Sequence, residues 1–214
     1  MTEASQKGRP PRAVVLLFGG FAEYVWGLRF LFLLCLFVFF ASVGMGFYLG
    51  DSIPLELPEE VSWLLEYIGS LSLPMIFLAI LLNNLLSSLI WMAMGALFSV
   101  PPLYFIVRNG FVVGRVSYTT SLTIGLPLTA FLLIPHGVIE IPAVLLSMAA
   151  GMGLGYQLIN SLRRRGSLRA EFGKALRLFV WRIAPMLLIA AAIEVALMAA
   201  TLYLQGVGWP PTAT

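Results

Sequence analysis

The chain has 214 residues, 60% of them hydrophobic and only 11% charged, with a net charge of +3 and a mean hydropathy of +0.95. Soluble domains carry about 25% charged residues, so composition excludes an ordinary water-soluble enzyme. The pI near 9.2 says little about nucleic acid, because the bases sit where membrane topology wants them, and no nucleic-acid partner is expected. Apolar residues in long runs predict an all-α fold, a polytopic transmembrane helical bundle in the cell membrane.

Residues 1–29 read as a cytoplasmic tail followed by an interfacial segment. Lys7, Arg9 and Arg12 come first, then Phe18, Phe21, Tyr24 and Trp26 mixed with Glu23 and Arg29. Residues 30–207 form a single membrane domain. A spanning helix needs about 20 apolar residues, and 30–50, "FLFLLCLFVFFASVGMGFYLG", meets that. It is too long for a signal-peptide core, and no small-x-small cleavage site follows, so it is a retained first span. Cys35, the single cysteine, lies inside this run and reads as a small buried apolar residue.

Asp51, Glu56, Glu59, Glu60 and Glu66 then occupy 51–66 without Lys or Arg. The second span is 73–98, ending at Pro101-Pro102. Segment 101–117 is apolar but interrupted by Arg108, Asn109, Gly110 and Arg115, and reads as broken or re-entrant. Further spans are expected at about 118–134, 138–160 and 184–205, with a short tail at 208–214.

Lysine and arginine placement sets orientation. The basic amino terminus is expected in the cytoplasm. So is 163–182, where Arg163, Arg164, Arg165, Arg169, Lys174, Arg177 and Arg182 face one acid, Glu171. Five spans satisfy both constraints and put the carboxyl terminus outside. Within 167–182, Leu168, Phe172, Leu176, Phe179 and Ile183 keep a helical period, with Lys174 and Arg177 facing away. That pattern predicts an amphipathic interface helix in contact with anionic lipid.

Polar groups inside spans are costly and usually mark pathways or paired sites. The candidates are Asn83, Asn84, Arg108, Asn109, His136, Glu140 and Glu194. His136 and Glu140 are four apart and share a helix face, continued by Ser147 and Gly151. Pro135 suits the first turn of a helix, so the pair also reads as a helix-start device near the outer interface. Glu194 lies in "LLIAAAIEVALMAA", near the middle of the last span. An isolated carboxylate there either takes up a proton or finds a donor, so it is expected to point into the bundle. "GFVVG" (110–114) and "GMGLG" (151–155) are small-xxx-small patterns that allow close helix crossings.

These residues carry a resemblance. "LIPHGVIEIPAVLLSMAAGMGLG", with "NN" at 83–84, "RNGFVVG" at 108–114 and "LLIAAAIEVAL" further on, resembles the stage II sporulation protein M family over about 70–200. The matching residues are Asn83, Asn84, Asn109, Gly110, Gly114, Pro135, His136, Gly137, Glu140, Pro142, Gly151 and Glu194, with Gly155 closing the second glycine pattern. The resemblance implies that eponymous members anchor peptidoglycan-degrading partners during septal wall remodelling. It specifies the fold far better than the activity.

Three readings follow. A channel or transporter-like protein would pass protons, ions or small solutes along the polar cluster, with a homodimer forming the pore. A non-catalytic scaffold would use the same groups to knit helices and would recruit membrane or cell-envelope proteins. An intramembrane hydrolase would need a nucleophile and base or a metal set. No such motif is present, and a metal on His136, Glu140 and Glu194 would need ligands from elsewhere. The expectation is no enzyme, no cofactor, and permeation ahead of scaffolding.

Overall fold

A computed structural model describes residues 21–52, 71–163 and 166–204. Every element in them is helical: α1 (Phe21–Gly27), α2 (Arg29–Tyr48), α3 (Leu73–Met94), α4 (Val100–Ile124), α5 (Leu126–Leu162), α6 (Leu168–Leu178), a π-helical turn (Phe179–Ile183) and α7 (Ala184–Leu204). The expected all-α bundle is what forms. The tails at 1–20 and 208–214 and most of the acidic 51–66 stretch lie outside the described residues.

Proline and glycine set the helix ends. Pro74 sits in the first turn of α3, where a missing N–H costs nothing. After Gly95 the chain turns through Phe98 and Ser99, both left-handed at φ 55° and 66°. The Ser99 hydroxyl donates to the Met152 carbonyl at 2.9 Å, which pins this strained turn to α5. Pro101 and Pro102 then open α4. Gly125, at φ 83° and ψ 151°, ends α4 and launches α5, with Pro127 in the first turn. That conformation suits glycine because it lacks a Cβ.

Among the described residues, four stretches are long and apolar enough to cross a bilayer: Arg29–Tyr48, Leu73–Met94, Gly137–Leu162 and Leu168–Tyr203. The third is 61% buried against 11–22% for the others, so α5 is the central post. It packs on α2, α3, α4, α6 and α7. Around it, Met92, Ala150, Leu154, Leu178, Ile183 and Leu187 form one core cluster. Cys35, Phe39, Ile106, Leu145 and Met148 form another. Cys35 is fully buried, as a small apolar residue in that run should be, and its thiol donates to the Met152 sulfur at 3.6 Å.

Contacts fix helix direction. Ser88 meets Ser147 and Gly95 meets Gly151, so α3 and α5 run parallel. A parallel pair requires a return pass between them, and α4 supplies it. α4 in turn runs alongside α2, where Gly110 meets Phe39 and Gly114 meets Val43. The bundle therefore has five lengthwise passes: α2, α3, α4, α5 and α7.

Three expectations are corrected here. Segment 101–117 is neither broken nor re-entrant, but belongs to an unbroken 25-residue helix. The third pass is therefore 100–124 rather than 118–134, and the break falls at Gly125. Pro135 does not start a helix: α5 begins at Leu126, so Pro135 and Glu140 lie well inside it, away from the helix-start dipole. Lacking N–H groups, Pro135 and Pro142 leave the Phe131 and Val138 carbonyls without their usual helical donors.

The segment expected as an interface helix is α6 plus the π-turn, continuous with α7. The 36 residues from Leu168 to Tyr203 would span ~54 Å as a helix, against ~30 Å of hydrocarbon. The basic α6 end consequently projects beyond the hydrocarbon. Its N-cap is Ser167, whose hydroxyl accepts from the Ala170 N–H at 3.3 Å.

Candidate functional site

α2, α3, α4 and α5 line a cavity of about 290 Å³ that is open on one side. α3 contributes Asn83, Asn84, Ser87, Ser88 and Trp91. α4 contributes Phe105, Arg108, Asn109 and Val113, and α5 contributes Glu140 and Val144. The cavity exists because α3 and α4 touch each other much less than each touches α5. They meet near the Gly95–Ser99 turn, and the gap between them holds polar side chains.

Five of the seven polar candidates, Asn83, Asn84, Arg108, Asn109 and Glu140, line this one cavity. Asn83 and Arg108 are exposed in the isolated chain, while Asn84, Asn109 and Glu140 are half-buried. The Asn83 amide donates to the Asn84 side-chain oxygen at 3.3 Å. Arg108 makes no hydrogen bond or ion pair with another described residue. His136 lies on α5, one turn before Glu140, and its side chain falls outside those described, as does that of Pro135. Glu194 is not brought to the cavity lining: it sits half-buried on α7, about two turns past the buried Leu187. Any metal set including His136 also lies outside the described side chains.

Ser87 and Ser88 add hydroxyls to the lining. The Ser88 hydroxyl is buried without a hydrogen-bond partner among the described residues. Its carbonyl accepts from the Ser147 hydroxyl at 2.9 Å. By spacing Ser147 continues the His136–Glu140 face, and this bond ties α5 to α3 beside the cavity-lining Ser88.

The glycines set the wall spacing. A Cβ on Gly110 would stand 2.6 Å from the Phe39 carbonyl, and one on Gly114 would collide with Val43. On α5, a Cβ at Gly151 would lie 2.8 Å from the Met92 carbonyl, and one at Gly155 would lie 2.6 Å from that of Gly95. Both small-xxx-small patterns are thus crossings within one chain. Gly137 is different, since its nearest neighbour is Ile141 of its own helix at 3.3 Å. Pro142 lines a separate, apolar groove with Trp26, Arg29, Phe32 and Leu146.

Arg115, which in the sequence reads only as an interruption of 101–117, has a structural role. It is 2% exposed and donates to the carbonyls of Gly50 at 2.6 Å and Leu49 at 3.1 Å. These are carbonyls at the carboxyl end of α2, where a helix presents partial negative charge. Its spacing of seven from Arg108, two helical turns along α4, is the one signal that both arginines belong to a continuous helix.

At the α6 end, Lys174 bonds Glu171 at 3.2 Å and lies 5.9 Å from the Tyr24 ring. Burial first, then the Glu171 charge and its pull on the hydroxyl proton, push the Tyr24 phenol above its ordinary value of 10.0. Glu171 lies close enough to act through charge. The Tyr24 oxygen is nevertheless buried without a hydrogen bond of good geometry among the described residues, and Lys174 takes a Glu171 oxygen.

Long apolar helices around a polar cavity define a multi-pass integral membrane protein. The chain belongs to the stage II sporulation protein M family, whose model matches residues 29–197. That range takes in α2 through most of α7, and so every described residue that lines the cavity. No curated protein and no solved structure matches the chain significantly.

Proposed function

We propose that the cavity is a station on a route for protons, small ions or small polar solutes across the membrane. The observation that carries this reading is the convergence of Asn83, Asn84, Arg108, Asn109 and Glu140 on one space of about 290 Å³. Amide and guanidinium groups with unused donors, together with a carboxylate, hold water or a solute far better than they tolerate acyl chains. The route begins from a cell membrane in which the amino terminus and α6 face the cytoplasm, following the arginine bias. There α6 rests on anionic lipid through Arg169, Lys174 and Arg177. The carboxyl terminus emerges outside.

The test is flux into liposomes containing the purified full-length chain, with a pH-sensitive dye for protons and ion-sensitive dyes for potassium and chloride. Wild type is expected to dissipate at least one gradient, and Glu140→Gln to slow that at least tenfold while the protein stays folded. Glu194→Gln, off the cavity, is expected to have the smaller effect. If wild type passes none of them, and Glu140→Gln and Arg108→Gln only loosen the bundle, the groups are structural glue. The scaffold for membrane or cell-envelope partners then becomes the better account.

A further inference from the structure

Arg108 lies nine residues after Ser99 and ten before Tyr118, which mark the levels of the two ends of α2: Leu28 meets Gly153 beside the Ser99–Met152 bond, and Phe47 meets Tyr118 edge-on. At 1.5 Å per residue it is ~13–15 Å from either end, in the middle of a ~30 Å hydrocarbon layer. An arginine stem is shorter than that distance, so snorkelling does not carry the guanidinium to the head groups. Yet Arg108 is exposed in the isolated chain and unpaired among the described residues, and Asn83 beside it on α3 is exposed too. Around them lie exposed Leu82, Leu86 and Ile90 on α3 and Tyr104, Val107 and Val112 on α4. The cavity therefore opens sideways, through a polar mouth with an apolar surround, at the depth where lipid is least tolerant of charge.

We infer that a second copy of this chain covers the α3–α4 face, so that two cavities meet mouth to mouth across a two-fold axis. The mouth suits such self-pairing. It carries one cation, Arg108, one acid, Glu140, and three amides that both donate and accept, so it is formally neutral and complementary to its own rotated image. The two-fold sets the Arg108 of each copy towards the Asn83, Asn84 and Asn109 amides of the other, and the surrounding leucine, isoleucine and valine side chains supply a dry rim. In isolation the cavity lacks a wall, and the second copy provides it. This holds whether or not anything permeates.

The experiment uses the full chain in liposomes at low protein-to-lipid ratio. Single-molecule photobleaching of a carboxyl-terminal label is expected to show two steps. Cysteines placed singly at Leu86, Ile90, Tyr104 and Val107, with the fully buried Cys35 retained as a silent background, are read for disulfide dimers after copper-phenanthroline oxidation. At least one of these four is expected to cross-link in most molecules, and Phe37→Cys, exposed on α2, in none. Arg108→Leu is expected to lower the two-step fraction at least tenfold, whereas a lipid-facing arginine would leave it unchanged. One-step bleaching, or dimers that cross-link through Phe37→Cys and not through the α3–α4 set, would overturn the inference.

Discussion

The Arg115 guanidinium donates to the Gly50 carbonyl at 2.6 Å, closing the carboxyl end of α2 from within α4. A buried cation is tolerated here because it donates to two carbonyls at the negative end of the α2 helix dipole. Arg115→Ala removes the donor and strips the Gly50 carbonyl of it, while the Leu49 carbonyl keeps the Ser52 N–H at 3.1 Å. Hydrogen bonds from charged groups contribute about 1.5–3 kcal/mol, so a loss of about 2 kcal/mol is expected in mixed-micelle unfolding. Arg115→Lys should recover part of it, since an ammonium still donates there. A stability unchanged by both substitutions would separate Arg115 from the cap.

Gly114 and Gly44 face each other's helices differently, and one methyl group tells them apart. A Cβ at Gly114 meets the Val43 backbone, while one at Gly44 meets nothing within 4 Å. Gly44→Ala is expected to stabilise slightly, because alanine is the better helix former by about 1 kcal/mol. Gly114→Ala is expected to destabilise by about 1–3 kcal/mol, the usual cost of overpacking. The same unfolding assay reads both, and equal effects would mean that α2 and α4 do not cross closely.

Tyr24 gives a pH dependence with a definite sign. Burial and the neighbouring Glu171 raise its phenol above 10.0 in the folded chain, so the folded state holds that proton more tightly than the unfolded one. The contribution is whole below pH 10 and is lost as pH climbs above it. Stability is expected to fall above pH 10 in the wild type and to fall less in Tyr24→Phe. Parallel declines in the two proteins would place Tyr24 outside the α1–α6 contact.

The helices were legible wherever apolar runs were long and clean, as at 29–48, 73–94 and 184–204. Polar cavity residues were legible for a related reason: hydrocarbon makes every amide or charge conspicuous, and Asn83, Asn84, Arg108, Asn109 and Glu140 stand out on composition alone. Segment 101–117 reads as broken because it mixes three signals that separately suggest a break. Arg115 is absorbed by a cap on another helix, Gly110 and Gly114 are notches for α2, and Arg108 faces the cavity mouth. None of these roles is local, so no window along the chain reveals them. The true break at Gly125 is a single glycine in a mild context, recognisable only from its φ of 83°. Pro135 misled in the opposite direction, because proline favours a helix start and here lies inside a helix of 37 residues. Glu194 satisfies the same intramembrane-charge criterion as Glu140, yet the fold places it on α7, away from the cavity lining.

The account depends most on the cavity being wet at the middle of the bilayer. Ser87 lines it and is half-buried, so Ser87→Cys reports on it directly, in full-length protein reconstituted with Cys35→Ala. A membrane-impermeant, charged thiol reagent is expected to modify Ser87→Cys within minutes, and to leave a lipid-facing cysteine at Phe37 untouched over the same time. Modification at neither position, with denatured protein labelled fully at both, would show a dry cavity and contradict the central claim.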